Sequence, residues 1–259
     1  MLPKFWVCIP ARRASSRLPD KLLQPIGDAP MIVHVARAAL RSEANQVLIA
    51  FDDDAISDCI TSAKDLTQES RLRLVKTRQD HVSGTDRLVE VATLLKAADD
   101  QVMVNLQGDE PLMPAQLLNE MAELLCTKPK ASVATAACPI TSASEWSSPA
   151  AVKVVTDSDS RALYFSRAAI PVQRDAKDTR QPSPGALRHI GLYAYRAGAL
   201  RMYGQWSEGR LEQLERLEQL RWLENGHQIV VKRMRQAPAA GVDTAEDLER
   251  VRALWAGGL

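Results

Sequence analysis

Within the first 130 or so residues, a short apolar run four times gives way to a polar turn and then to a helically spaced segment. The runs are residues 5–9 (FWVCI), 46–51 (QVLIAF), 72–76 (LRLVK) and 101–106 (QVMVNL). The runs at 5–9, 46–51 and 101–106 are mostly apolar rather than alternating, which marks strands buried on both faces of a parallel sheet, while that at 72–76 also carries Arg73 and Lys76. Met31, Ile32, Val35, Ala38 and Ala39 have helical spacing, and Pro30 suits a first helical position. Asp52, Asp53 and Asp54 offer caps for a helix running to about residue 63. Ser83 opens a helix carrying Val89, Val91, Ala92 and Leu95; another spans 114–126, and a fifth strand 132–138. Strand and helix in strict alternation predict an α/β fold, a doubly wound and mostly parallel sheet. A chain of 259 residues is long enough for one large domain, with or without an embedded subdomain.

After residue 138 the rhythm changes. Residues 141–149, rich in Ser and Ala, read as a connection. Runs 152–156 and 162–166 read as strands joined by a polar turn at 157–160. Residues 175–185 are charged, then proline-containing, and are expected to form a mobile loop; 187–195 is another strand. The stretch 140–210 thus reads as an antiparallel insert within a single domain 1–259, serving as a lid or a dimer surface. Leu211, Leu214, Leu217, Leu220 and Leu223 predict one helix over 211–223, with Glu212, Glu215 and Glu218 beside the stripe. Residues 229–231 form a strand and 243–253 a closing helix with Leu248 and Val251 inward.

The formal net charge of +1, with no dense Lys/Arg run, argues against nucleic acid or an anionic membrane surface as partner. Cys8, Cys59, Cys126 and Cys138 are far apart and lack C-x-x-C spacing, which points to structural thiols in a reducing compartment. No apolar run approaches the roughly 18 residues of a membrane span, and no leader pattern opens the chain. These features together predict a cytoplasmic enzyme or binding protein.

Three polar stretches sit at strand ends, where open α/β sheets bind ligands. In residues 105–111 (NLQGDEP) the fourth strand breaks at Gly108 and Pro111 follows. Gly108 lets a ligand approach the backbone, and Asp109 offers a carboxylate to a hard cation such as Mg²⁺. Residues 11–21 (ARRASSRLPDK) bring three Arg, two Ser and one Lys to the loop after the first strand. That loop is neither a dinucleotide fingerprint nor a Walker A loop, yet its cations suit a polyphosphate. Residues 78–87 (RQDHVSGTDR) lead into a helix N-terminus, whose free N–H groups hold anions or nucleobase edges. Asp243, just before the last helix, reads on local grounds as a helix cap ahead of the other reading, a second metal carboxylate. On local grounds His189 reads as a core histidine, Glu218 as a surface partner of Arg221, and Tyr164 and Tyr193 as core aromatics.

Nine motifs in order, from Ile9 to Arg252, carry a family resemblance. They are IPAR (9–12) with RLP (17–19) and Lys21, PMIVHV (30–35), SGTDRL (83–88), QGDEP (107–111), AVKVV (151–155), ALYFSR (162–167), RHIGLY (188–193), LEQLR (217–221), and GVDT with EDL (241–248). The chain resembles the 3-deoxy-manno-octulosonate cytidylyltransferases, the CMP-Kdo synthetases of lipopolysaccharide assembly. The resemblance implies a Rossmann-like fold of the nucleotide-diphospho-sugar transferase type, working as a homodimer. It implies Mg²⁺-dependent transfer of CMP from CTP to 3-deoxy-D-manno-octulosonate (Kdo), giving CMP-Kdo and pyrophosphate. By position, Ala11, Arg12, Ser15, Arg17 and Lys21 would surround the CTP phosphates, and Arg78, Ser83 and Gly84 the cytidine. Asp109 and Asp243 would hold Mg²⁺, with Lys21 beside them as a catalytic cation. Gln107, Arg167, His189, Tyr193, Glu218 and Gln219 would line the Kdo pocket, Arg167 facing the substrate carboxylate.

The sequence departs from the family pattern in Arg13 for Tyr, Asp20 for Gly, Leu22 for Pro, Phe51 for Thr, Ala151 for Asn, and Gly209-Arg210 for Ser-Pro. These positions bear on loop geometry and turnover rate. Two alternatives stay open at this level. One is a cytidylyltransferase for another keto sugar acid, a sialic acid or 8-amino-Kdo. The other is a non-catalytic homologue that binds CTP.

Overall fold

The structure, a computed structural model, describes residues 4–176, 178 and 180–257. The elements run β1 (Phe5–Ala11), β2 (Pro25–Ile26), β3 (Ala29–Pro30), α1 (Met31–Leu40), β4 (Gln46–Phe51), α2 (Asp54–Ser62), α3 (Lys64–Thr67), β5 (Leu72–Lys76), α4 (Gly84–Leu94) and β6 (Val102–Asn105). There follow α5 (Ala115–Thr127), β7 (Ala131–Pro139), α6 (Ala143–Ser147), β8 (Lys153–Thr156), β9 (Ala162–Ser166), β10 (Leu187–Arg196), α7 (Ala197–Tyr203), α8 (Arg210–Glu215), α9 (Gln219–Glu224), β11 (Gln228–Arg233) and α10 (Ala245–Ala256).

The sheet order is β11-β7-β10-β6-β1-β4-β5. Strands β5, β4, β1 and β6 are mutually parallel, as the four apolar runs predict. The chain steps outward from β1 through β4 to β5, then returns to the other side of β1 as β6. The loops leaving β1 and β6 therefore diverge at a topological switch point, the crevice where such sheets bind ligands. Phe5, Val7, Ile9 and Ala11 belong to one packed layer, while Cys8 belongs to the layer on the opposite face. This period of two with both faces covered explains why the strand has no polar positions.

Four expectations change. The first strand does not end at Pro10: Pro10 and Ala11 continue the pairing with Ala50 and Phe51. On its other side the ladder to β6 ends where Leu106 N–H donates to Cys8 O, so the N–H that Pro10 lacks has no partner to lose. Likewise β6 stops at Asn105, ahead of Pro111, and a turn closed by Glu110 N–H to Gln107 O follows. The section after residue 140 is not a detached insert. β8 and β9 do form the expected antiparallel hairpin, but β10 lies inside the main sheet, antiparallel to both β6 and β7. The expected loop at 175–185 includes Lys177 and Thr179, which lie outside the described residues.

The largest difference is at 211–223. One helix is replaced by two, α8 and α9, broken at Arg216, whose φ of 54° is left-handed. Spacing by threes drifts around a helix of 3.6 residues per turn, so a continuous helix could not bury all five leucines. With the break, Leu217 and Leu220 are buried and Leu214 is left outside. Glu224 reaches back to accept from the N–H groups of Leu211 and Glu212 at the start of α8. A Cβ at position 209 would collide with that carboxylate, which accounts for glycine there.

Candidate active site

A cavity of about 480 Å³ opens at the carboxyl edge of the sheet, over the crevice between β1 and β6. Of the residues singled out from sequence, Arg12, Ser15, Arg17, Lys21, Ser83, Gly84, Gln107, Asp109, Tyr193, Glu218, Gln219 and Asp243 all line it. They come from six separate segments, Tyr193 being supplied by β10. The β1 loop supplies cations, the turn after β6 supplies Gln107 and Asp109, and the start of α4 supplies Ser83 and Gly84. The α8–α9 break supplies Glu218 and Gln219, and the approach to α10 supplies Asp243.

Charge is concentrated at one point. Lys21 Nζ donates to Asp109 Oδ2 at 2.5 Å and to Asp243 Oδ1 at 3.2 Å, while Arg17 Nη2 donates to Asp243 Oδ1 at 2.8 Å. The ambiguity at Asp243 is resolved by its neighbour. Thr244 is the cap of α10, its hydroxyl accepting from Asp247 N–H, which leaves the Asp243 carboxylate available to the cavity. Val242 N–H donates to Asp109 O at 2.9 Å, so backbone pairing holds the two acids on adjacent segments. An ammonium already lies between them. Two carboxylates bridging a cation, open to solvent on one side, match the donor set of Mg²⁺, which takes one or two carboxylates and completes its shell with phosphate and water oxygens.

Gly108 lines the cavity and also has a packing role. A Cβ there would come within 3.1 Å of Pro10 O and 3.2 Å of Leu22, so the glycine permits the β1 and β6 loops to pack against each other. Glu110, next to Asp109, is half-buried, and its pKa is pushed up to about 8, first by burial and then by Asp109, which favours its uncharged form at neutral pH.

The two charges that depart from the family pattern in the first loop satisfy each other. Arg13 Nε donates to Asp20 Oδ1 at 3.0 Å, and Arg13 Nη1 to Asp53 Oδ1 at 3.2 Å. Asp20 is left-handed at φ 49°, a conformation Asp tolerates better than most residues. Its charge is thus directed to Arg13. Arg13 N–H also donates to Asp52 Oδ1, and Asp52 Oδ2 accepts from the buried Arg87 at 2.9 Å. This ties the loops after β1 and β4 to the first turn of α4, a role for Asp52 beyond capping; Asp53 is the cap of α2.

Four predicted residues lie off the cavity wall. Ala11 is buried at the end of β1. Arg78 is exposed and paired with Asp80 at 3.1 Å, along a second hollow beside α4. His189 sits one layer behind Tyr193, ring centroids 5.3 Å apart, with Nε2 against Thr135 Oγ1 at 2.9 Å. Burial lowers its pKa to about 3, so it is neutral. Arg167 is engaged with backbone carbonyls, Nε to Glu215 O at 2.7 Å and Nη1 to Pro149 O at 2.9 Å. Glu218 does face the cavity. The surrounding walls raise its pKa above the usual carboxylate range, desolvation being the main cause and Asp86 a further one.

Sequence reasoning missed Asn105, Thr85, His81 and Trp222, all on the cavity wall. Asn105 is buried with an unpartnered Oδ1, an acceptor at the very end of β6. Its signal was a polar residue closing an otherwise apolar run. Trp222 gave no signal distinct from core packing.

An α/β sheet with phosphate-seeking cations after β1 and a two-carboxylate cation site across the switch point defines a nucleotidyltransferase. Residues 6–229 match the cytidylyltransferase family. The chain belongs to that family, among the 3-deoxy-manno-octulosonate cytidylyltransferases. It is 48% identical to the 3-deoxy-manno-octulosonate cytidylyltransferase of Yersinia enterocolitica over 96% of this chain and 98% of that one. It is 50% identical to the enzyme of the same name from Acidithiobacillus ferrooxidans, covering 97% and 99%. A solved structure of CMP:2-keto-3-deoxy-manno-octonic acid synthetase complexed with CTP superposes with a TM-score of 0.88 at 40% identity, over 99% of this chain and all of the other. The structure of 4-diphosphocytidyl-2C-methyl-D-erythritol synthase, at 15% identity and a TM-score of 0.63, shares the fold. Among the described residues no helix is long and apolar enough to cross a membrane, and all four cysteines are free thiols.

Proposed function

We propose that the chain is a Mg²⁺-dependent cytidylyltransferase that couples CTP to 3-deoxy-D-manno-octulosonate, giving CMP-Kdo and pyrophosphate. The observation that carries this reading is the convergence of Lys21, Asp109 and Asp243 at the switch point, in a chain about half identical to enzymes of that name. Arg12, Ser15, Arg17 and Lys21 grip the triphosphate by charge-assisted hydrogen bonds, and Ser83 and Gly84 face the cytidine. Lys21 and Arg17 exchange their carboxylate partners for phosphate oxygens as the nucleotide enters. Asp109 and Asp243 are the residues that would hold Mg²⁺, and the ion, when bound, would supply positive charge against the phosphates. Gln107, Tyr193, Glu218 and Gln219 orient the sugar acid. Its anomeric hydroxyl gives up its proton to solvent water as the oxygen forms a bond to the α-phosphorus, and the bond from that phosphorus to the pyrophosphate oxygen breaks. Positioning and charge neutralisation supply the acceleration, without a covalent enzyme intermediate.

In this reading the protein is a cytoplasmic homodimer serving lipopolysaccharide assembly. Exposed Leu163 and Val172, on the antiparallel section, support the dimer contact, and a monomeric mass at micromolar concentration would contradict it. The deciding assay is pyrophosphate release from CTP and Mg²⁺ with Kdo, with sialic acid, and with no sugar. Release with Kdo alone is expected. Faster release with sialic acid assigns another acceptor, and CTP binding without release under any condition assigns a binding protein.

A further inference from the structure

Arg167 and Glu215 hold each other across the α8–α9 break. The Arg167 guanidinium donates to Glu215 O at 2.7 Å and to Arg216 O at 3.2 Å, carbonyls that the end of a helix leaves without intrahelical partners. The Glu215 carboxylate returns the contact, accepting from Arg167 N–H at 2.9 Å and from Ser166 Oγ at 2.6 Å. Ser166 and Arg167 stand at the end of β9, an edge strand of the antiparallel section, whereas Glu215 is the last residue of α8. The next residue, Arg216, is left-handed, and immediately after it Glu218 and Gln219 enter the cavity. Leu217 N–H donates to Glu212 O at 3.3 Å, closing the turn.

We propose that Glu215, with Arg167, is a positioning residue for the acceptor half of the active site. The pair buckles the left-handed turn at Arg216 to β9 and so fixes where Glu218 and Gln219 stand. The break needs an anchor outside the helices: Arg carries a Cβ penalty in the left-handed region, and the residues on either side are good helix formers, even though one continuous helix would leave some of the leucines unburied. Glu215 touches no substrate and acts through Glu218 and Gln219. The inference rests on the reading above that these two face the sugar acid.

The test compares Glu215→Ala, Glu215→Gln and Arg167→Lys with the wild type. In Glu215→Ala, the acceptor KM rises about tenfold or more, since small misplacements of positioning groups cost that much. CTP affinity by calorimetry stays within about twofold, because Arg17 and Lys21 of the phosphate loop are held by Asp109 and Asp243 and not by Glu215 or Arg167. Glu215→Gln, which retains one acceptor oxygen, falls between. Hydrogen exchange at the Leu217 and Leu220 amides, measured without substrates, speeds up about tenfold in the alanine variant. That last readout stands even if the acceptor is a different sugar acid, so it separates failure of the buckle from failure of the functional reading. An unchanged acceptor KM in Glu215→Ala overturns the inference, as does a parallel loss of CTP affinity. So does a raised KM in Arg167→Lys with none in Glu215→Ala, which would mean that the guanidinium meets the substrate itself.

Discussion

Replacing Lys21 by Met removes an ammonium and keeps a stem of similar length. Lys21 lies between two carboxylates, and its side chain is only 14% exposed, against 27% for Asp109 and 47% for Asp243. Solvent screens the Asp243 contact, so most of the loss comes from leaving Asp109 unpaired. A charged hydrogen bond lost from a partly buried partner is worth about 1.5–3 kcal/mol, and screening reduces this to about 1–2 kcal/mol. For a chain of this size that lowers Tm by about 2–8 °C. The two acids of the variant then attract a divalent cation with no ammonium to displace. At ten times its Kd, Mg²⁺ alone returns about 1.4 kcal/mol to the variant. Wild-type protein gains less, because the cation must first expel Lys21; only CTP, which draws Lys21 to its phosphates, lifts that competition. The assay is a thermal melt of both proteins with and without Mg²⁺, repeated with CTP. Equal stabilisation of both by Mg²⁺ alone, or an unchanged Tm in the variant, would refute the argument that Lys21 occupies the cation position.

Asp109→Ala and Asp243→Ala each abolish turnover while circular dichroism and the cooperative melt are retained; normal activity in either would remove the two-carboxylate site. His189 is neutral in the fold, with its pKa lowered to about 3 by burial, whereas the unfolded chain titrates near 6.5. The unfolded state therefore binds the extra proton below that pH, and stability is lost as pH falls from about 6.5 toward 3, with a slope of order 1 kcal/mol per unit. His189→Gln flattens this segment of the stability–pH curve, and an unchanged slope would mean that the imidazole is not enclosed. Asp20→Ala puts a plain Cβ in the left-handed region and costs about 1 kcal/mol in urea unfolding. Asp20→Gly relieves the backbone and loses only the tie to Arg13, so a glycine variant less stable than the alanine variant would contradict this account.

Local rules made the parallel half of the molecule legible. β4 falls where its apolar run places it, since a strand buried on both faces has little choice of residue type, and β5, half-buried at the sheet edge, falls at its own run while keeping Arg73 and Lys76 exposed. Ser83 caps α4 as expected because its hydroxyl needs only a neighbour three residues on. What the sequence could not show were outcomes of competition between distant groups. Asp243 was the expected cap of α10, yet Thr244 takes that place while Lys21 and Arg17, more than 200 residues away, claim Asp243. Pro10 looked like a strand terminator because its missing N–H was counted without knowing which side of β1 it faced.

The same distinction runs through the site. Residues whose type already implies a ligand, such as Lys21, Asp109 and Ser83, do line the cavity. Arg167 and His189 bear on it only through intermediaries: Arg167 through the carbonyls of the α8–α9 break, His189 from behind Tyr193. A motif match fixes that a residue is needed but not at which distance from the reacting atoms it is needed. An arginine satisfied by two or three carbonyls and one bound to a substrate carboxylate leave the same trace in sequence. They differ in what their removal does. The first moves Glu218 and Gln219 together and changes the exchange of neighbouring amides, whereas the second weakens one ligand contact and leaves the backbone as it was. Asn105 and Trp222, missed from sequence, mark the converse case: an apolar-run ending and a core aromatic become cavity wall only because β10 enters the sheet beside β6.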